Sequence, residues 1–233
     1  MKKTILTAKK IQLLFAGLLF VPFAALAQKP KIDSNYIHPH YQQRAAYFRS
    51  MPDRKNEIVF LGNSITEHGE WQELLGSKRV VNRGIGGDNT FGVLARLDEV
   101  LSSKPARIYL LIGINDLSRR LPAEVIVNNY KRIIARVKKE SPHTKLYIES
   151  VLPVNESMVT ASYLKGITPL ITDLNTRIKE LTAAEKLTYI DLHPLFEDNT
   201  GQLKADWSRD GIHLKPEAYI EWINFLKTNG YLK

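Results

Sequence analysis

A carboxylate and an imidazole stand three residues apart in Asp210-Gly211-Ile212-His213. Such a pair can orient a base and stabilise its protonated form, provided that a nucleophile comes within reach. Three glycine-bearing segments supply the remaining parts: Gly62-Asn63-Ser64, Asn82-Arg83-Gly84-Ile85-Gly86-Gly87-Asp88 and Gly113-Ile114-Asn115-Asp116. Ser64 brings a hydroxyl, and the backbone N–H groups of Ser64 and Gly87 with the Asn115 amide bring neutral donors for an oxyanion. Together they predict acyl transfer, with Ser64 as nucleophile, His213 as base, Asp210 as the acid that orients it, and Ser64, Gly87 and Asn115 as the oxyanion hole.

Each segment also has an ordinary structural use. Gly-Asn-Ser is a common helix cap, and an Asn-Asp pair often does no more than bond its own backbone; for Asp116 that structural use is preferred. Gly84, Gly86 and Gly87 lack the spacing of a dinucleotide-binding turn. Asp191-Leu192-His193 is a competing acid and base, with Pro194 pointing to a structural loop. His38 and His40 have no carboxylates clustered with them. Neither a metal nor a cofactor is expected.

The elements that must position these residues follow from the apolar pattern. Strands are predicted at Glu57–Leu61, Val80–Asn82, Arg107–Ile112, Lys145–Val151 and Thr188–Asp191, short and apolar on both sides, as strands covered on two faces are. Helical spacing marks Phe91–Leu101, Pro122–Glu140, Thr168–Ala184 and Pro216–Thr228. In the second of these, Ile126, Tyr130, Ile133, Ile134 and Val137 share a face, with Pro122 suited to the first turn. Alternating strand and helix predicts an α/β fold, a three-layer α/β/α sandwich on a five-stranded parallel sheet of flavodoxin-like type, with chemistry at the carboxyl ends of the strands. The first three motifs each begin at such an end. Pro153–Ile167, without clear period, is predicted to be a loop or lid facing substrate.

Residues 1–27 carry Lys2, Lys3, Lys9 and Lys10, an uncharged stretch from Ile11, and Ala25-Leu26-Ala27, the order of a secretory signal peptide cleaved after Ala27. An N-terminal extension over 28–54, with a helix near Tyr41–Ser50 on the outside of the molecule, then precedes one catalytic domain over 55–233. The formal charge of +9 falls to about +5 once the four leader lysines are set aside. Lys and Arg are spread along helices, as at Arg132, Arg136, Lys138 and Lys139, and no nucleic-acid partner is expected. No stable membrane anchor is expected after leader cleavage. Cysteine is absent, which removes disulfides, thiol catalysis and lipoprotein anchoring.

In order and spacing, the four motifs resemble the SGNH subgroup of the GDSL-type esterases and lipases, named for catalytic Ser, Gly, Asn and His. The resemblance covers nearly all of the chain beyond the leader. It implies the same roles for Ser64, Gly87, Asn115, Asp210 and His213, and departs from the family pattern in reading Gly-Asn-Ser-Ile where the family name has Gly-Asp-Ser-Leu. The stretch from Asn82 is similar to acetylhydrolases of platelet-activating-factor-like lipids and to secreted carbohydrate O-acetylesterases. That likeness implies removal of a small acyl group such as acetyl from small-molecule or glycan esters, and the leader implies that the enzyme is secreted or periplasmic. The alternatives are a lysophospholipase or thioesterase acting on longer chains, and a non-catalytic carbohydrate-binding relative.

Overall fold

The computed structural model describes residues 32–232; the proposed leader over 1–27 lies outside them. In chain order the elements are α1 (Pro39–Ser50), β1 (Ile58–Gly62), α2 (Ser64–Glu67), α3 (Trp71–Leu75), β2 (Val80–Gly84), α4 (Thr90–Ala95), α5 (Leu97–Ser102), β3 (Arg107–Leu111), α6 (Ile114–Ser118), α7 (Ala123–Glu140), β4 (Lys145–Glu149), α8 (Thr168–Ala184), β5 (Thr188–Ile190), α9 (His193–Phe196) and α10 (Pro216–Thr228). The strands form one parallel sheet in the order β2-β1-β3-β4-β5. The chain therefore leaves β1 in one direction and returns on its other side, which opens a crevice between the carboxyl ends of β1 and β3.

Strand residues alternate between the two faces, and each face has its own core. Val59, Leu61, Ile108, Leu110 and Ile148 pack with apolar residues of α4, α5, α7 and α8. On the opposite face Phe60 lies in register with Tyr109, and Tyr109 with Tyr147. Their rings stack at 4.9 and 4.8 Å, Trp71 stacks on Phe60 at 4.1 Å, and Trp222 of α10 meets Trp71 edge-on at 5.0 Å. Such pairs each add about 1 kcal/mol beyond the apolar area they bury. The α7 stripe from Ile126 to Val137 is buried as its period requires.

Some boundaries differ from the sequence expectation, for local reasons. Pro122 takes the cap position of α7 rather than its first turn. A single helix over Phe91–Leu101 is replaced by α4 and α5, broken at Arg96, whose guanidinium turns inward to Asp88 (2.9 Å) and to the Gly62 carbonyl (3.1 Å). β4 ends at Glu149 because side chains then take over the ladder's work: Ser150 Oγ accepts from the N–H groups of Leu192 and His193, and Asn175 Oδ1 accepts from the Val151 N–H.

The N-terminal helix is longer than expected and is anchored, not merely apposed. Tyr41, Ala45 and Phe48 pack on Ile85, and the Tyr41 hydroxyl donates to the Gly92 carbonyl at 2.9 Å. The Pro153–Ile167 segment is not a lid over most of its length. Val154, Asn155 and Val159 are buried, and the Glu156 carboxylate accepts from the backbone N–H groups of Gly166, Ile167 and Thr168 at the start of α8. Unpaired helix-terminal N–H groups favour a carboxylate there, which fixes this segment to the scaffold.

Candidate active site

Ser64 begins α2, immediately after β1. Asn63 caps the helix, its Oδ1 accepting from the Ile65 N–H at 3.0 Å. Gly84 in β2 is required by packing: a Cβ there would stand 2.1 Å from the Glu67 nitrogen of α2. Asn82 ties the same turn down, its Nδ2 lying 3.0 Å from each of the Thr66, Glu67 and Gly69 carbonyls. The serine is thus presented at the sheet's edge by two strands and a short helix.

His213 arrives from a sequence distance of 149 residues, with Nε2 2.9 Å from Ser64 Oγ. Its Nδ1 lies 2.7 Å from Asp210 Oδ2, while Asp210 Oδ1 accepts from the backbone N–H groups of Ile212 and His213 at 3.1 and 2.8 Å. Partial burial raises the Asp210 carboxyl, but the bonds from the His213 ring and from the two backbone N–H groups outweigh it and leave the group below the usual carboxylate range. Gly211 takes φ +95, and a Cβ there would meet the Asn155 carbonyl at 2.7 Å. The Asn155 N–H donates to the Gly211 carbonyl at 2.8 Å. The segment predicted to face substrate instead buttresses the loop that carries the acid and the base.

Gly87 lies in a turn closed by the Asp88 N–H donating to the Ile85 carbonyl at 3.1 Å, and its φ of +76 suits the third residue of a type II turn. Asn115 begins in the first turn of α6, after Gly113 at φ +128. Its Nδ2 donates to the Asp88 carbonyl at 2.7 Å, which fixes the amide and leaves its second N–H for another acceptor. Arg96 and Asp88, both buried, form an ion pair that ties this turn to the end of β1 through the Gly62 carbonyl. Burial raises the Asp88 carboxyl despite Arg96 beside it.

The competing residues have other partners. His193 Nδ1 faces the Val151 carbonyl at 2.9 Å, its Nε2 faces Glu197 at 3.5 Å, and Asp191 faces Lys179 at 3.7 Å. Asp116 is buried beneath the site, accepting from the Thr90 hydroxyl at 2.5 Å and the Thr90 N–H, and burial pushes its carboxyl up to about 7. Among the described residues no cluster of three or more His, Cys, Asp or Glu could hold a metal ion. Arg96 and Glu67 escape sequence reading, because a lone charge in a helical pattern reads as solvent-facing.

A hydroxyl bonded to an imidazole, itself bonded to a carboxylate, can lose its proton as it attacks a carbonyl. Beside it lies a largely apolar groove of about 400 Å³ lined by Leu74, Leu214, Pro216, Tyr219 and Ile220, with Glu70 and Arg209 as its charged members. His68 also lines it, with its ring 5.1 Å from that of His213. Partial burial, then the neighbouring His213 and Arg209, hold the His68 imidazole below its ordinary pKa.

The chain is similar to known proteins. The chain is 28% identical over 199 residues to platelet-activating factor acetylhydrolase IB subunit alpha1 of Rattus norvegicus, covering 80% of this chain and 78% of that one. It is 27% identical over 175 residues to an arylesterase of Vibrio mimicus, covering 74% and 76%. A solved structure from Streptococcus pneumonia, named for a platelet activating factor, superposes with a TM-score of 0.75 at 30% identity over 82% of this chain and 92% of that one. The family model of GDSL-like lipases and acylhydrolases matches residues 60–219. With that match spanning most of a three-layer α/β fold, the chain belongs to the GDSL-like lipase/acylhydrolase family and is a serine ester hydrolase.

Proposed function

We propose that this protein is an exported esterase that removes small acyl groups, acetyl foremost, from a carbohydrate, using Ser64, His213 and Asp210. The observation that carries the reading is the unbroken chain from Asp210 through His213 to Ser64, at 2.7 and 2.9 Å. Ser64 Oγ forms a bond to the ester carbonyl carbon and gives its proton to His213 Nε2, while the carbonyl oxygen gathers charge opposite the N–H groups of Ser64, Gly87 and Asn115. Collapse of that adduct breaks the ester bond, and His213 returns the proton to the departing alcohol. Water then repeats the sequence on the acyl-enzyme, and the carboxylic acid leaves. Asp210 holds the imidazole with Nε2 toward Ser64 and stabilises its charged form.

The acetyl preference is supported by the acetylhydrolase named above, and the carbohydrate by the likeness of the Asn82–Asp88 stretch to carbohydrate O-acetylesterases. Export rests on the leader pattern over 1–27, and predicts a mature chain that starts at Gln28. A second reading is favoured by the groove beside His213. The leaving alcohol takes its proton from that imidazole, so an apolar groove there suits the ester of an aryl or alkyl alcohol better than that of a sugar.

Acetate release from acetylated glycans, measured beside aryl acetates and an acyl series from acetyl to dodecanoyl, separates the readings. Fastest turnover on acetylated glycans, with rates falling as the acyl chain lengthens, is expected. Octanoyl or longer esters turned over faster than acetyl esters would replace the proposal with the long-chain reading.

A further inference from the structure

We propose that the N-terminal helix, through Glu67, is the positioning clamp of the oxyanion hole, so that a segment before the family-matched region is part of the active site. The inference rests on the assignment of Gly87 as an oxyanion donor. The Glu67 carboxylate lies one turn beyond Ser64 on α2, and its Oε2 accepts from the Gly86 N–H at 2.6 Å. From the other side, His40 Nε2 meets both Glu67 oxygens at 3.0 Å and Arg44 Nε meets Oε1 at 3.1 Å. Nucleophile helix, oxyanion turn and α1 thus converge on one carboxylate.

His38 closes the remaining side of the turn. Its Nδ1 accepts from the Tyr41 N–H at 3.2 Å, which leaves the ring proton on Nε2. That Nε2 is buried without a hydrogen-bond partner and stands 3.1 Å from the place a Cβ on Gly87 would occupy. The helix is seated here by the packing of Tyr41, Ala45 and Phe48 on Ile85 and by the Arg83 guanidinium of β2, which lies 4.8 Å from the Phe48 ring centre.

The peptide at stake is the one joining Gly86 to Gly87. Type I and type II turns differ by a half-rotation of this central peptide, and glycine at both positions makes either form accessible. A half-rotation would turn the Gly87 N–H away from the oxyanion. Glu67 fixes the Gly86 N–H of the preceding peptide, one end of the hinge about which that rotation turns; His38 packs against Gly87 at the other end, and His40 with Arg44 keeps the carboxylate in place. A donor must be aimed before charge develops if it is to act in the transition state, and this brace does the aiming.

The test uses the mature protein with Glu67→Ala, Glu67→Gln and His40→Ala, and with Gln43→Ala on the exposed side of α1 as a control. Expected are a kcat lower by roughly 100-fold in Glu67→Ala, partial rescue in Glu67→Gln, and a loss of about 10-fold in His40→Ala, with KM within about 3-fold throughout. A melting temperature near that of the parent separates positioning from unfolding; where Glu67→Ala does not fold, the other two variants decide. Unchanged kcat in Glu67→Gln and His40→Ala, or a raised KM at unchanged kcat, overturns the clamp. Fluorophosphonate labelling of the parent at Ser64 is measured alongside: its presence with unaffected variants rejects the clamp alone, and its absence rejects the underlying site with it.

Discussion

Two acid–histidine segments reach the carboxyl edge of the same sheet, and only one of them meets the serine. Asp191-Leu192-His193 follows β5 directly, and its two side chains diverge, Asp191 toward Lys179 and the His193 ring toward the Val151 carbonyl. Asp210-Gly211-Ile212-His213 turns back on itself, because Asp210 accepts from two backbone N–H groups of its own loop and Gly211 allows the turn at φ +95. One more residue between acid and base, and a glycine among them, convert a structural loop into a pair whose ring nitrogens face a carboxylate on one side and a hydroxyl on the other. The lesson is that proximity of Asp and His in sequence says little until the backbone hydrogen bonds that join them are counted.

Replacing each histidine sharpens that contrast most. His213→Ala should lower kcat by roughly 10⁴-fold or more, as loss of a base acting in one unit with its nucleophile does. His193→Ala should leave kcat within about 3-fold, and should instead cost about 1 kcal/mol of stability through loss of one of the two side-chain hydrogen bonds to the Val151 carbonyl, the other coming from Asn175, a fall of roughly 3 °C in Tm. Comparable activity losses in both would erase the distinction.

Amide substitutions of the acids come next. Asp210→Asn should reduce kcat by about 10³- to 10⁴-fold at unchanged fold, since an amide can hold the wrong tautomer; Asp191→Asn should have no measurable effect on esterase assays. Smallest is a pH effect on stability. The Asp210 carboxyl sits below its ordinary 3.8, so its contribution is fully present above that value and is lost as pH falls through the depressed one. Thermal melts should fall more steeply with acid in the parent than in Asp210→Asn, and parallel curves would mean that its bonds are not formed in solution.

The sequence was more informative about some parts than others. Strands buried on both faces, such as Tyr109–Leu111, and the Ile126–Val137 stripe of α7 announce themselves because burial on a sheet or a helix face imposes its own period. Strand and helix ends were harder to read. Ser150 and Asn175 take over backbone bonds at the end of β4, and Arg96 breaks a helix to reach Asp88, and neither event leaves a periodic trace. The residues of the site stood out by type and by their place after strands. Their types imply that Ser64 and His213 meet, but what brings them together leaves no mark in the sequence, since it depends on the packing of Asn155 and Val159 beneath Gly211. The role of Glu67 is hidden for the same reason: its partners come from α1 and the Gly86 turn, far apart in the chain.

The central claim is that the hydroxyl at Ser64 is the nucleophile and owes its reactivity to His213. Mass spectrometry of the protein treated with a fluorophosphonate, with the adduct mapped by peptide, tests it directly. One adduct per chain on the peptide that contains Ser64, formed readily in the parent and in His193→Ala but lost in His213→Ala, is the predicted result. An adduct on another residue, or labelling of Ser64 that is indifferent to His213, would contradict the account.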